Sequence, residues 1–387
     1  MGFIPIMKKT FQAESSQLKF EKRFEDKSIL TFKNSVGFFD RNITNPDFDF
    51  SGKQYASFTE LSFLLNKDKS EWIAGGNLWT DKFKQDNATS YPLNSNSVIG
   101  GAFIQNNFKA TDKFIVESGL RADATNQKDF FLLPRIALLY KITPKFSSRI
   151  GGGLGYKTPT IFSEEAEERG FRAIQPLDFN KVKSEKSIGG NFDLNYKTRL
   201  SEETVFSINQ MFFYTQIKNP LVLNNTQLSN GNYEFINGNG HIDSKGFETN
   251  VKLSYDDISL YCGYTFTDVK RYFNDTAIVN PLTAKSRIYT TLSYEWNEKL
   301  IAGYELFYTG KQMLSNGETK PSYWVMGSSV QYKFEHFSLF VNAENFTDTR
   351  QTRYEKMYTG TLQNPQFKEI WAPTEGFIFN AGIKISL

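Results

Sequence analysis

The sequence predicts an all-β chain: an antiparallel, up-and-down β-barrel that crosses a membrane. Three observations carry this. Apolar and polar residues alternate with period two along most of the 387 residues. The alternating runs are about 10 to 15 residues long, enough for the roughly 9 to 11 that a tilted membrane-crossing strand needs and well above the roughly 5 or 6 of ordinary strands. The polar connections between runs are alternately short and long, the pattern of a meander whose two ends face different compartments. No run approaches the roughly 20 apolar residues of a spanning helix, and a 16% share of aromatic residues, with 37 Phe and 19 Tyr, favours strands.

Taken in order, "SSQLKFEKRF" is the first strand, and the short turn "EDKS" after it places its end on the periplasmic side. Short turns recur at "NKDKS" (66–70), "ATDK" (110–113), "ITPK" (142–145), "LSEE" (200–203), "YDD" (255–257), "WNEK" (296–299) and "FEH" (334–336). Longer polar segments fall between them, at 41–53, 85–96, 124–129, 158–181, 219–245, 271–285, 313–322 and 346–374. The alternation is clearest late in the chain: Phe247, Thr249, Val251, Leu253 and Tyr255 form one row, and Trp324, Met326, Ser328, Val330, Tyr332 and Phe334 another. In the closing "GFIFNAGIKISL", Phe377, Phe379, Ala381, Ile383, Ile385 and Leu387 face lipid, while Ile378, Asn380, Gly382, Lys384 and Ser386 face the lumen.

This gives about 17 strands. The first strand runs inward from the external side and the last also runs inward, so the two ends lie on opposite sides. A complete bacterial barrel has an even strand number. The expectation is therefore the carboxyl-terminal part of a larger barrel, with 1–15 a remnant of an external loop or earlier strand and 16–387 the barrel portion. On its own such a chain is not expected to close into a heat-resistant barrel.

Composition excludes other classes. With 45 basic against 42 acidic residues there is no charge excess that calls for nucleic acid. The single cysteine, Cys262, rules out an internal disulfide framework and reads as a small apolar strand residue. His241 and His336 lie far apart, without the spacing of a metal centre. "MGFIPIMKKTF" has its lysines after its apolar stretch, unlike a signal peptide. No nucleophile elbow or phosphate loop is present; "GGGLGY" (151–156) lies inside a strand, where its glycines relieve crowding in a curved wall. Neither an enzyme nor a cofactor is expected.

Two blocks resemble a known family. "PRIALLYKITPKFSSRIGGGLGYKTPTIFSEEAE" (134–167), followed by "KSEKSIGGNFDLNYKT", is similar to the mid-barrel region of TonB-dependent outer-membrane receptors, and "VNAENFTDTRQTRYEKMYTG" with the closing strand is similar to their last two strands. The wording is nearest to receptors of Bacteroidota. The resemblance implies a Gram-negative outer-membrane protein that belongs to a transporter of a scarce, large solute: an iron-siderophore, haem, a vitamin or an oligosaccharide. It also implies 22 strands, a plug domain and a TonB box in the parent. About five strands, the plug and the box are absent here, so this chain alone is not expected to drive energised transport. The implied partners are outer-membrane lipid, the barrel-assembly machinery and, only through the missing amino-terminal part, the TonB complex; the barrel would be monomeric. A final Leu387 departs from the terminal Phe common in the family. The rival readings are a plugless, passive porin-like barrel and a surface-loop adhesion protein.

The resemblance implies ligand contacts on the external loops. In 158–181, Glu164, Glu165, Glu167 and Glu168 stand beside Arg169 and Arg172. A short solvated helix is the simpler reading, a charged rim the functional one. "TRQTRYEKMY" (349–358) offers Arg350, Arg353, Tyr354 and Tyr358, a set able to hold an anionic aromatic ligand by paired hydrogen bonds and stacking, against simple packing at the mouth. Tyr233 opens "YEFINGNGH", which reads as an Asn-Gly hairpin at a loop tip and adds an aromatic candidate. The candidate contacts are thus Arg169, Arg172, Tyr233, Arg350, Arg353 and Tyr354. Trp296, Trp324 and Trp371 are expected in the interfacial girdles, and Arg121, Asp123, Arg135, Lys252 and Glu295 on the inner face.

Overall fold

The computed structural model describes residues 8–45, 48–86, 90–224, 226–274, 276–361 and 365–385. Its body is one sheet of long strands: β1 (Lys8–Arg23), β2 (Ile29–Asn45), β3 (Phe48–Lys67), β4 (Ser70–Gln85), β5 (Ser95–Lys109), β6 (Phe114–Thr125), β7 (Phe130–Lys141), β8 (Phe146–Lys157), β9 (Glu185–Arg199), β10 (Thr204–Lys218), β11 (Gly240–Tyr255), β12 (Ile258–Phe273), β13 (Ser286–Trp296), β14 (Leu300–Thr309), β15 (Tyr323–Lys333), β16 (Phe337–Glu344) and β17 (Ile378–Ile385). Each pairs antiparallel with the next. An eighteenth strand, Thr276–Val279, extends the β12–β13 hairpin outward on β12, so the ladder has seventeen positions, as the alternation predicts.

An even number of antiparallel steps separates β1 from β17, so the two edge strands run in the same direction. Among the described residues no ladder joins them, and the sheet does not close on itself. Among the described residues the helices are Glu164–Glu168 and a 3-10 turn at Gln351–Arg353, and no helix is long and apolar enough to cross a membrane.

The two faces differ as the period-two reading requires. On β7, Phe130, Leu132 and Ile136 are exposed on the outer face, whereas Phe131 and Ala137 are buried on the inner one. On β17, Phe379, Ile383 and Ile385 stand exposed outside, while Asn380 donates to Glu344 (3.0 Å) and accepts from Asn342 (2.9 Å) inside. Leu387 and Ser386 lie outside the described residues. Inner-face polar groups pair laterally: Lys33 with Glu60 (3.1 Å), Arg149 with Glu117 (2.6 Å), and the Tyr261 and Tyr289 hydroxyls with Asn250 (3.0 and 2.5 Å). Cys262 is a free thiol in β12.

All eight short connections lie at one end, between the strand pairs where the sequence marks them. Their chemistry explains their tightness. At 111, 143 and 201 a hydroxyl accepts from the backbone two or three residues on: Thr111 from Phe114 N–H (3.0 Å), Thr143 from Phe146 N–H (3.1 Å), Ser201 from Thr204 N–H (3.1 Å). The two-residue turn between β11 and β12 places Asp256 at φ 47°, and the three-residue turn after β13 places Asn297 at 48°, left-handed values that short polar residues tolerate.

The wall between β8 and β9 is nearly free of side chains where Gly152 opposes Gly190 and Gly153 opposes Gly189. At the other end the strands overshoot. β3 has 20 residues, about twice what a tilted crossing needs, so the segment expected as loop at 41–53 is largely paired strand, and 271–273 and 276–279 of that expected at 271–285 are paired as well.

Candidate functional site

Above the sheet, two assemblies order the long loops. The first has an apolar core. Ile43, Phe50 and Phe83 from the outer ends of β2, β3 and β4 meet Ile161, Ala166, Phe171 and Ile174 of the β8–β9 loop, with Leu223 and Phe235 of the β10–β11 loop. Phe171 is 1% exposed and stacks on Phe50, ring centres 4.3 Å apart. Placing it there forces left-handed backbone at Gly170 (φ 57°), Phe171 (62°) and Ala173 (54°). The cost is roughly 1 to 2 kcal/mol per non-glycine residue; burying a Phe side chain returns about 1.5 to 3 kcal/mol.

The loop helix Glu164–Glu168 is capped by Ser163, whose hydroxyl accepts from Ala166 N–H (3.4 Å). It is short, as expected, but one face is buried: Ala166 is fully enclosed. Glu167 accepts from Arg41 of β2 (2.5 Å), and that guanidinium also lies over the Phe162 and Phe171 rings at 5.3 and 5.4 Å. The two loops are laced together. Tyr233 N–H donates to Ala173 C=O (2.7 Å), Gln175 N–H to Tyr233 C=O (2.8 Å), and Asn237 bridges Lys183 and Asn219 carbonyls (2.9 and 2.8 Å). "YEFINGNGH" is therefore not a hairpin tip. Phe235–Asn237 is the return arm of a ribbon with Leu221–Leu223, and Gly240, at φ 150°, begins β11.

The second assembly is held by polar groups. It joins the Gln312–Met313/Thr319–Lys320 ribbon of the β14–β15 loop to the β16–β17 loop. Gln351, with no exposed surface, donates to Glu369 C=O (2.9 Å) and accepts from Trp371 N–H (3.0 Å). Glu355 accepts from Lys368 (2.7 Å), the Trp371 indole N–H (2.7 Å) and Lys320 (3.0 Å). Burial would raise its pKa, but these three donors prevail and hold it at about 2. Burial likewise opposes the charge of Lys320, yet its carboxylate partners Glu318 and Glu355 raise its pKa above the ordinary value. Trp371, 3% exposed, belongs to this network and not to a membrane girdle; Trp296 and Trp324 are exposed at strand ends.

The six candidate contacts divide between the assemblies. In the first, the Arg169 guanidinium lies 4.0 Å from the Tyr233 ring centre, and Arg172 is exposed beside them. In the second, Arg350 and Arg353 both reach Asp348 (3.4 and 2.5 Å), while Tyr354 sits edge-on to Trp371, 5.1 Å between centres, and is 48% exposed. Burial acts to raise the Asp348 pKa, but Phe377 N–H and the two arginines bring it below the usual carboxylate range. The structure thus brings Arg169 to Tyr233 and Arg350 to Arg353, but does not join the two groups by any contact among the described residues. Arg41, Gln351 and Lys320 went unread in the sequence; Arg41 meets Glu167, Gln351 meets Glu369 and Trp371, and Lys320 meets Glu355 only through the fold. Among the described residues no group of three or more His, Cys, Asp or Glu side chains could hold a metal ion.

The family "TonB dependent receptor-like, beta-barrel" matches residues 8–346. Solved structures share the fold. The FrpB iron transporter from Neisseria meningitidis (F3-3 variant) superposes with a TM-score of 0.71 at 14% identity, over 96% of this chain and 62% of its own. A mutant of the ferric enterobactin receptor PfeA from Pseudomonas aeruginosa gives 0.71 at 13% identity, over 98% and 62%. The copper transporter OprC gives 0.73 at 14%, over 98% and 66%. The chain thus spans a little under two thirds of the length of these proteins. Barrels of this kind reside in the outer membrane of Gram-negative bacteria, and the family consists of transporters and receptors. The chain belongs to the TonB-dependent receptor family, of which it forms β-barrel wall and external loops.

Proposed function

We propose that the chain supplies the barrel and the ligand-gathering mouth of a receptor that imports a scarce, large solute across the outer membrane. The observation that carries this is the family match over 8–346 together with two long-loop assemblies, each with its own core, at the external end. Loops that only separated strands would need no cores; ordered ones present a fixed surface. On that surface Arg172, Arg350, Arg353 and Tyr354 have exposed side chains that reach solvent, and with the Arg169–Tyr233 pair they form the rim that a solute meets first. Movement through the wall is driven by TonB acting on the parent receptor's amino-terminal part, and the barrel-assembly machinery inserts the wall as a monomeric unit.

Cells carrying and lacking the gene would be given ferric enterobactin, haemin, cyanocobalamin or maltohexaose. The expected result is gene-dependent uptake of one of them that stops when an uncoupler collapses the proton gradient. Uptake that is insensitive to the uncoupler and linear in concentration would replace the receptor reading with a passive pore.

A further inference from the structure

On the outer face, the external end of β9 to β12 changes character within one step. Phe192, Phe212, Phe247 and Phe266 stand abreast on these four strands, with ring centres 6.5, 6.3 and 5.6 Å apart. The next row outward is Tyr214, Lys245 and Asp268, and the one after it Gln216, Asp243 and Lys270. On β11, Lys245 lies ten residues beyond Tyr255, which is exposed on the same face at the short-turn end. A strand tilted by about 40° and rising about 3.4 Å per residue climbs about 25 Å over that distance, the height of the apolar band. The charged rows therefore stand at the level of the lipid headgroups in the external leaflet.

Their charges do not balance. Asp268 has Lys245 opposite it in the register, Lys270 at 3.8 Å and Lys285 at 3.4 Å, so three ammonium groups surround one carboxylate. The Asp268 side chain is 14% exposed, against 39% and 53% for Lys270 and Lys285, so the surroundings meet the lysines and not the acid. The second acid, Asp243, is taken up by Gln216 (3.2 Å) and His241 (3.6 Å). Lys218, two residues beyond Gln216 on β10, is exposed, and among the described residues neither it nor Lys245 has a side-chain partner. A lysine at this depth rests its methylenes on the apolar face and lifts its ammonium to the headgroups. Clustered there without enough carboxylates, lysines favour an anionic lipid surface.

We propose that this patch binds a phosphorylated glycolipid of the external leaflet: Lys245, Lys270 and Lys285 hold a headgroup phosphate by charge-assisted hydrogen bonds, Lys218 meets the headgroup further out, and the four phenylalanines pack on its acyl chains. A free phosphate would satisfy the lysines but has nothing to offer the phenylalanine row directly beneath them. A lipid with a phosphate above and hydrocarbon below matches both rows at once. The inference concerns the outside of the wall and is independent of which solute the receptor imports.

The test uses the receptor extracted from its outer membrane in non-ionic detergent, stripped of lipid and titrated while native mass spectrometry counts what is bound. The probes are diphosphoryl lipid A, the same lipid with its phosphates removed, and inorganic phosphate. Diphosphoryl lipid A is expected to bind saturably, at least about tenfold more tightly than the dephosphorylated lipid, and to weaken as salt rises. Changing Lys245, Lys270 and Lys285 together to Gln should weaken it at least about tenfold, whereas changing all three to Arg should cost less than about threefold, because the charge is kept. Lys218→Gln with Lys245→Gln breaks no side-chain contact of the folded wall, and should still cost about threefold or more. Equal binding of the two lipids overturns the proposal, as does undiminished binding in both Gln variants. Inorganic phosphate that binds as tightly as the lipid also overturns it and assigns the patch to a soluble anion.

Discussion

The two loop assemblies at the mouth do the same work with opposite physics. The one above β2 to β4 hides Phe50, Phe83, Phe171 and Ile161 from water and tolerates left-handed backbone to do so. The one above β14 to β17 buries little apolar surface beyond Leu314, Trp371 and Ala372 and relies on Glu355, Lys320, Lys368 and Gln351. Hydrophobic burial is indifferent to pH and falls with the area removed; a charged network depends on the protonation of each member. The same long-loop problem therefore has one solution sensitive to shape and another sensitive to proton concentration.

The sharpest way to break the comparison is Phe171→Ala. It should cost the first assembly about 3 to 5 kcal/mol, exposing 158–184 and 219–239 to proteases while the second assembly and the sheet keep their hydrogen-exchange protection. Glu355→Gln should come next. It removes charge-assisted bonds from two lysines, loosening the β16–β17 loop by about 2 kcal/mol and shifting Trp371 emission to the red. In the unmutated protein the same loop should respond to pH through Glu355 and Lys320. Glu355, held at about 2 in place of 4.5, contributes in full above pH 4.5 and is lost as pH falls through about 2. Lys320, raised from 10.5, contributes in full below that value and is lost as pH climbs through its higher folded pKa. Trp371 fluorescence should therefore hold steady between those limits; a transition near neutrality would show that another group controls the loop. The smallest effect belongs to Asp348→Asn, which frees Arg350 and Arg353. Both are largely solvated, so the pair contributes little, and the change should be visible as faster proteolysis near 350 and little else.

What was legible in the sequence was whatever repeats. Period two set the inner and outer faces of β11, β15 and β17, and the hydroxyl- and Asp/Asn-bearing turns marked the short ends, so the ladder and its seventeen positions could be read without coordinates. Strand ends were less clear: β1 is already paired at Lys8, and β2 and β3 run through a segment whose polarity suggested a loop. Polarity marks exposure to water, and a strand standing above the membrane is as wet as a loop. The site was least legible. Arg41 meets Glu167 across 126 positions, and Trp371 looked like a girdle residue because its partners, Glu355 and Gln351, come from a different turn of the same loop.

The paired glycines between β8 and β9 bear on how well this wall insulates. Side chains on each face normally hold lipid tails and inner water apart by several ångströms beyond the backbone. Where Gly152 faces Gly190 and Gly153 faces Gly189, that padding is missing from both faces at once. The barrier there is a single peptide layer, its inner surface flanked by the guanidinium groups of Arg135 and Arg149. There lipid and inner water are parted by little more than the backbone.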